Sequence, residues 1–243
     1  MQTRRHDESR FTIHDSQFTI HNSRFTIDMR PVICMISDRR RLAGDQDAAL
    51  IQRVAAAARA GVHLIQIRER DLDARPLTAL VERCVAAVDG TRARVVVNDR
   101  LDVALAAGAH GVHLRGDSLP AARARSMAPP GFLIGRSVHS LDEAVRAQEG
   151  EGLDYLLFGT VFNTASKPNA APAGLSGLAE VAAATRLPIL AVGGMSVSTV
   201  RSLRSTGAAG FAAIGLFADG SPDQIGVSVH QASLAFDTPE SVP

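Results

Sequence analysis

Thr164, Ser166 and Lys167 place two hydroxyls and an ammonium together in the segment Phe158-Gly-Thr-Val-Phe-Asn-Thr-Ala-Ser-Lys167. Such a donor set suits phosphate oxygens. The segment begins as the end of an apolar run, Leu153-Asp-Tyr-Leu-Leu-Phe158, so a buried strand delivers the loop. Two further apolar runs follow and each ends in glycine: Pro188-Ile-Leu-Ala-Val-Gly-Gly-Met195, with Gly193 and Gly194, and Gly210-Phe-Ala-Ala-Ile-Gly215. Glycine turns after the last two strands of a barrel can hold a phosphate on backbone N–H groups and a helix N-terminus. The same glycines also serve if they do no more than permit tight turns, and the sequence leaves both readings open.

A second constellation lies in Leu64-Ile-Gln-Ile-Arg-Glu-Arg70. A period of two puts Gln66, Arg68 and Arg70 on one face and Ile65 and Ile67 on the other. The isoleucines are expected to face helices and the polar three a barrel mouth. Two guanidiniums beside an amide suit a polyanion, because arginine's forked donors match phosphate oxygens. For Arg70, pairing with Glu69 or Asp71 is the alternative.

Val95-Val-Val-Asn-Asp99 ends an apolar run in an amide, Asn98, and a carboxylate, Asp99. Asp99 can cap the helix that follows. It can also join Asp117, which lies beyond the next run and close to His113, in holding Mg²⁺, a hard ion bound by one or two carboxylates together with substrate phosphates. The segment Gly135-Arg-Ser-Val-His-Ser140 adds the hydroxyl of Ser137 and the imidazole of His139. His139 is a candidate acid or base, although a lone histidine more often has a structural part.

Positioning these groups requires alternating strands and helices. Strands are expected at 32–37, 62–68, 94–98, 111–114, 132–135, 153–158, 188–193 and 210–215. Helices are expected at 46–60, 75–88, 101–107, 119–127 and 141–149, the last capped by Ser140, and near 178–185 and 198–205. Short apolar runs joined by amphipathic helices mean a parallel sheet, and eight such units favour an α/β fold of the (β/α)8 TIM-barrel type in one domain. An open doubly wound sheet is the alternative, weakened by the absence of GxGxxG after the first strand.

With 243 residues, 46% hydrophobic content and a formal net charge of +1, the chain can bury a full barrel core and shows no bulk charge directed at nucleic acid. It has no Trp and one Tyr, so neither a base-stacking platform nor a membrane-interface belt is indicated. Cys34 and Cys84 form no CxxC pair and are expected to be buried small hydrophobes in a reducing cytoplasm. No apolar run of about 18 residues and no signal-peptide order is present.

Ser9-Arg-Phe-Thr-Ile-His-Asp15, Ser16-Gln-Phe-Thr-Ile-His-Asn22 and Ser23-Arg-Phe-Thr-Ile-Asp28 repeat at a period of seven without an a/d seam. Residues 1–28 are therefore expected to be an extension outside the fold, from translated repetitive DNA ahead of a start at Met29. The barrel is expected over 29–235, with a tail at 236–243. Mass spectrometry of the native protein tests this, and peptides from residues 1–28 would refute it.

Together these residues carry a resemblance. Residues 32 to 217 resemble the superfamily of thiamine-phosphate synthase and its relative, the thiazole tautomerase. The resemblance rests on Gln66-Ile-Arg-Glu-Arg70, Val97-Asn-Asp-Arg100, Gly111-Val-His-Leu114, Ile134-Gly-Arg-Ser-Val-His-Ser140, Asp154-Tyr-Leu-Leu-Phe-Gly159 with Thr164-Ala-Ser-Lys167, and Ala191-Val-Gly-Gly-Met195. It implies a TIM barrel, small phosphorylated substrates, Mg²⁺ and a cytoplasmic enzyme, and a homo-oligomer is compatible with it. The synthase joins an aminopyrimidine methyl diphosphate to a thiazole phosphate. The tautomerase isomerises the thiazole carboxylate phosphate. By resemblance, Gln66 and Asn98 lie near the pyrimidine and diphosphate, Asp99 serves the metal, and Arg68, Ser137 and Lys167 fit the diphosphate site.

Three positions depart from the synthase pattern. Arg70 stands where lysine is usual, Ser118 where a metal-binding aspartate is usual, with Asp117 one place early, and Gly215 where a phosphate-binding serine is usual. Arg115 is an alternative source of positive charge for the displaced acid. The tautomerase's catalytic histidine falls at Thr160, a poor acid or base, which argues for a synthase over a tautomerase. A phosphate-binding member without activity is the further alternative.

Overall fold

The computed structural model describes residues 31–164 and 171–237. The repeat at 1–28, Met29, Ser166 and Lys167 lie outside the described residues.

Eight strands close into a barrel: β1 (Val32–Ile36), β2 (Leu64–Ile67), β3 (Arg94–Asn98), β4 (Gly111–Leu114), β5 (Leu133–Val138), β6 (Tyr155–Phe158), β7 (Ile189–Val192) and β8 (Gly210–Ala213). Each pairs in parallel with its neighbour in sequence, and β1 pairs with β8 to complete the ring. Between them run α1 (Gln46–Arg59), α2 (Ala74–Ala87), α3 (Leu101–Ala106), α4 (Ala121–Met127), α5 (Leu141–Glu149), α6 (Gly174–Ala184), α7 (Val197–Val200) and α8 (Gly215–Ala218), and α9 (Ile225–Asp237) follows. The closed barrel excludes the open-sheet alternative.

Strand alternation divides the core into two layers. Val32, Cys34, Leu64, Val96, Tyr155, Leu157 and Leu190 fill the barrel. Ile33, Met35, Ile65, Ile67, Val95 and Val97 pack outward with the helices. The isoleucines beside Gln66 thus face the helical layer as their spacing predicts. The starts of α1 and α5 are capped by side chains: Asp45 accepts from the backbone N–H of Asp47 and Ala48, and Ser140 from that of Glu143 at 3.1 Å.

Two of the departures from expectation lie in helices of the C-terminal part. The helix expected near 198–205 is a single α turn, α7, continued as a 3₁₀ turn over Arg201–Thr206 and closed by Gly207 at φ 76°. Ser196 and Thr199 form a reciprocal capping box that starts it, and Ser202, Ser205 and Thr206, whose hydroxyls compete for nearby backbone groups, weaken its continuation as an α-helix. The other is α9, which sequence reading did not identify. It packs against α1 and α7 and buries Ile225, Val229, Ala232 and Phe236. Among the described residues no helix is long and apolar enough to cross a membrane.

Candidate active site

Every expected strand that ends in polar residues delivers them to the same end of the barrel, where a cavity of about 520 Å³ opens. Gln66, Arg68 and Arg70 line it from the β2 end, Asn98 from β3, Ser137 and His139 from β5, and Thr164 and Gly193 from the loops after β6 and β7. Active sites of this fold sit at the C-terminal ends of the strands.

Gln66 is buried, and its Nε2 donates to Asn98 Oδ1 at 2.9 Å. Its Oε1 is buried with no partner. A buried acceptor left unpaired costs about 1–3 kcal/mol, so this oxygen calls for a donor from whatever enters the cavity.

The carboxylates that flank the arginines in the chain, Glu69 and Asp71, are engaged elsewhere. Glu69 turns away from the cavity, accepting from Ser37 Oγ at 2.5 Å and from the Arg39 N–H at 3.2 Å. Asp71 pairs with Arg39 at 2.8 Å. The pairing of Arg70 with Glu69 or Asp71 is therefore not formed. Ser37 Oγ also accepts from the backbone N–H of Arg68 at 2.8 Å, so β1 and β2 are buttressed where the arginines leave the barrel. Burial lowers the pKa of Arg68, and the charge of Arg70 lowers it further. This concentration of positive charge suits a polyanion.

Asp99 does not cap α3: the capping position is Arg100, with no side-chain bond to the helix. Asp99 instead has a left-handed backbone, φ 62°, and its carboxylate accepts from Ser118 Oγ. Such a φ is uncommon outside glycine, although aspartate tolerates it best. Arg115 lies between the two candidate metal ligands, 3.6 Å from Asp99 and 2.7 Å from Asp117. The carboxylates therefore converge on a spot that already takes a cation, and their hard oxygens fit Mg²⁺ as donors. Asp117 is the weaker partner, its side chain 72% exposed. Among the described residues, no group of three His, Cys, Asp or Glu side chains gathers at metal spacing.

His113, expected among the substrate contacts, sits behind the cavity wall. It is buried and does not line the cavity. Its Nε2 lies 2.8 Å from Ser137 Oγ and its Nδ1 3.2 Å from Tyr155 Oη. Burial, assisted by the charge of Arg136, pushes its pKa down to about 3, so the ring is neutral. His139 does line the cavity. Its Nδ1 donates to the Gly159 carbonyl, which leaves Nε2 without a partner among the described residues.

Gly193 reaches the cavity at φ 103°, where a Cβ would lie 2.6 Å from Thr160 Cγ2. Gly194 and Gly215 are not on its wall. Gly194, at φ 65°, is instead packed against the loop after β6, where a Cβ would approach Asn163 O to 2.6 Å, and Gly215 opens α8. Sequence reading missed Arg136, which ties down the loop after β4 through the carbonyls of Gly116 and Leu119. It also missed Ser37, Glu69 and Tyr155, whose partners lie more than 30 residues away in the chain.

A family model for thiamine monophosphate synthase matches residues 33–217, which span all eight strands of this barrel but for the first residue of β1. The chain belongs to the thiamine monophosphate synthase family. Within that family, a thiamine-phosphate synthase of Roseiflexus sp. (strain RS-1) is 39% identical over 193 residues, covering 79% of this chain and 80% of its own. One from Chlorobium luteolum is 40% identical over 185 residues, covering 76% and 84%. Among solved structures, a thiamine phosphate pyrophosphorylase from Pyrococcus furiosus superposes with a TM-score of 0.73 at 29% identity, covering 85% of this chain and 96% of its own.

Proposed function

We propose that this member of the thiamine monophosphate synthase family joins an aminopyrimidine methyl diphosphate to a thiazole phosphate, releasing pyrophosphate and forming thiamine phosphate. The observation that carries the reading is the pairing of an unsatisfied Gln66 Oε1 with the Arg68 and Arg70 cations in one cavity. The amide oxygen accepts from the exocyclic amine of the pyrimidine, and the cations face the diphosphate.

In the reaction the bond between the pyrimidine methylene and the diphosphate oxygen breaks, and its electron pair leaves with the pyrophosphate. The lone pair of the thiazole nitrogen then forms the new C–N bond. Negative charge grows on the leaving group, where Arg68, Arg70, Lys167 and the Ser137 hydroxyl stabilise it. Thr164 and Ser166 add donors to the same phosphate oxygens, and Gly193 lets backbone approach the second substrate. No side-chain nucleophile is needed, since orientation of the two substrates alone is worth up to about 7–11 kcal/mol. Asp99, with Asp117, would hold Mg²⁺, which supplies further charge neutralisation at the diphosphate.

Isomerisation of a thiazole phosphate is the weaker reading, since the hydroxyl of Thr160 on the cavity wall is a poor acid and a poor base near neutral pH. The test is formation of thiamine phosphate from the two phosphorylated halves with Mg²⁺, followed by mass detection. Product is expected. Its absence at high enzyme concentration, with a known synthase active in parallel, overturns the proposal.

A further inference from the structure

We infer that Tyr155 is a positioning residue that acts through His113 to turn the Ser137 hydroxyl proton into the cavity. The three side chains come from adjacent strands, β4, β5 and β6, and form one line of contacts leading from the barrel interior to the cavity wall. The inference rests on the reading of that cavity as a diphosphate site.

Counting donors and acceptors decides the direction of the line. Tyr155, the single tyrosine of the chain, is 3% exposed, and His113 is 1% exposed. If the phenol donates to His113 Nδ1, the neutral ring carries its hydrogen on Nε2 and donates it to Ser137 Oγ. All three groups are then satisfied, and the serine O–H is left to point at the ligand. In the opposite order, serine donates to Nε2, Nδ1–H donates to the phenol oxygen, and the buried phenol hydrogen is stranded. A stranded buried donor is the costlier arrangement. Burial raises the pKa of Tyr155 well above its ordinary value, so the phenol keeps its hydrogen.

The strand between them is shaped for this line. The Tyr155 ring stands against Gly135, where a Cβ would fall 2.1 Å from the Tyr155 Cζ atom. Only a residue without a side chain admits the ring there, and the ring's centroid lies 5.6 Å from that of His113. The consequence is chemical selectivity. A Ser137 oxygen that accepts from His113 presents a donor to the cavity, which suits a phosphate oxygen and disfavours a ligand N–H.

The experiment observes the ring directly. Long-range proton–nitrogen correlation spectra of the ¹⁵N-labelled full chain, with His113 assigned by its loss in His113→Gln, should show the tautomer with hydrogen on Nε2. Hydrogen on Nδ1 overturns the inference, whatever the protein's activity. Tyr155→Phe keeps the ring and removes the hydroxyl. It should let the Nδ1–H tautomer appear and lower kcat about tenfold with KM for the diphosphate substrate little changed, the mark of an interaction made chiefly in the transition state. An unchanged tautomer together with unchanged kcat overturns the inference. A wild-type chain that forms no thiamine phosphate counts against the functional reading alone, because the spectrum still decides the hydrogen-bond order.

Discussion

Arg68 and Arg70 press on each other's charge while Ser37, Arg39 and Glu69 hold the backbone beneath them, so their positive field is directed into the cavity. Arg68→Ala and Lys167→Ala should each lower kcat/KM by at least about tenfold, equivalent to about 1.4 kcal/mol of lost transition-state stabilisation. Unchanged kinetics in both variants would remove these residues from the site. The carboxylates around Arg115 make a second case. Asp99→Asn should raise the Mg²⁺ concentration needed for half-maximal rate, and Asp117→Asn should do so by less because its carboxylate is mostly in water. Arg115→Ala removes the cation that competes for both oxygens and should lower that requirement. Ser118→Asp, beside Asp99, should lower it too. A magnesium titration of the wild type and these four variants checks the set, and a flat response in all of them refutes the metal reading of the loop.

At the scale of the element, β5 matters because it carries two opposite demands. Its backbone must approach the Tyr155 ring at Gly135 while two residues later it presents Ser137 to the cavity. Gly135→Ala forces the strand and the ring apart and should cost about 1–3 kcal/mol, the usual range for overpacking a tight core. The thermal midpoint of unfolding measures this. A midpoint within error of the wild type would mean that β6 can shift to admit the methyl group. Gly135 differs in this from Gly44 or Gly90, whose positive φ values serve turns in open space and involve no neighbour.

At the scale of the whole molecule, closure of the barrel hides both thiols. Cys34 lies inside the ring of strands and Cys84 between α2 and the barrel, and burial pushes both pKa values up to about 12. The thiolate is the reactive form, so a thiol reagent at pH 8 should find no target in the native protein. It should titrate two thiols once urea has unfolded the chain. Rapid native labelling of either cysteine would show that the barrel opens locally far below its global stability.

The sequence by itself determined the alternation of eight strands with helices, the α/β class and the side of β2 that meets the cavity. These follow from local periodicity, and a period of two leaves Gln66, Arg68 and Arg70 no other common face once Ile65 and Ile67 pack outward. Helix α9 escaped notice because its apolar residues are scattered among Gly226, Ser228, His230 and Gln231 with little amphipathic contrast. Asp99 was open between helix cap and metal ligand because its partner Ser118 is 19 residues away, and only the meeting of the β3 and β4 loops shows which contact forms. Likewise His113, Ser137 and Tyr155 carry no signal of one another in the chain. Parallel strands need long crossovers between neighbours, so residues far apart in sequence become adjacent only when the barrel closes, and contacts of that kind were for the tertiary structure to decide.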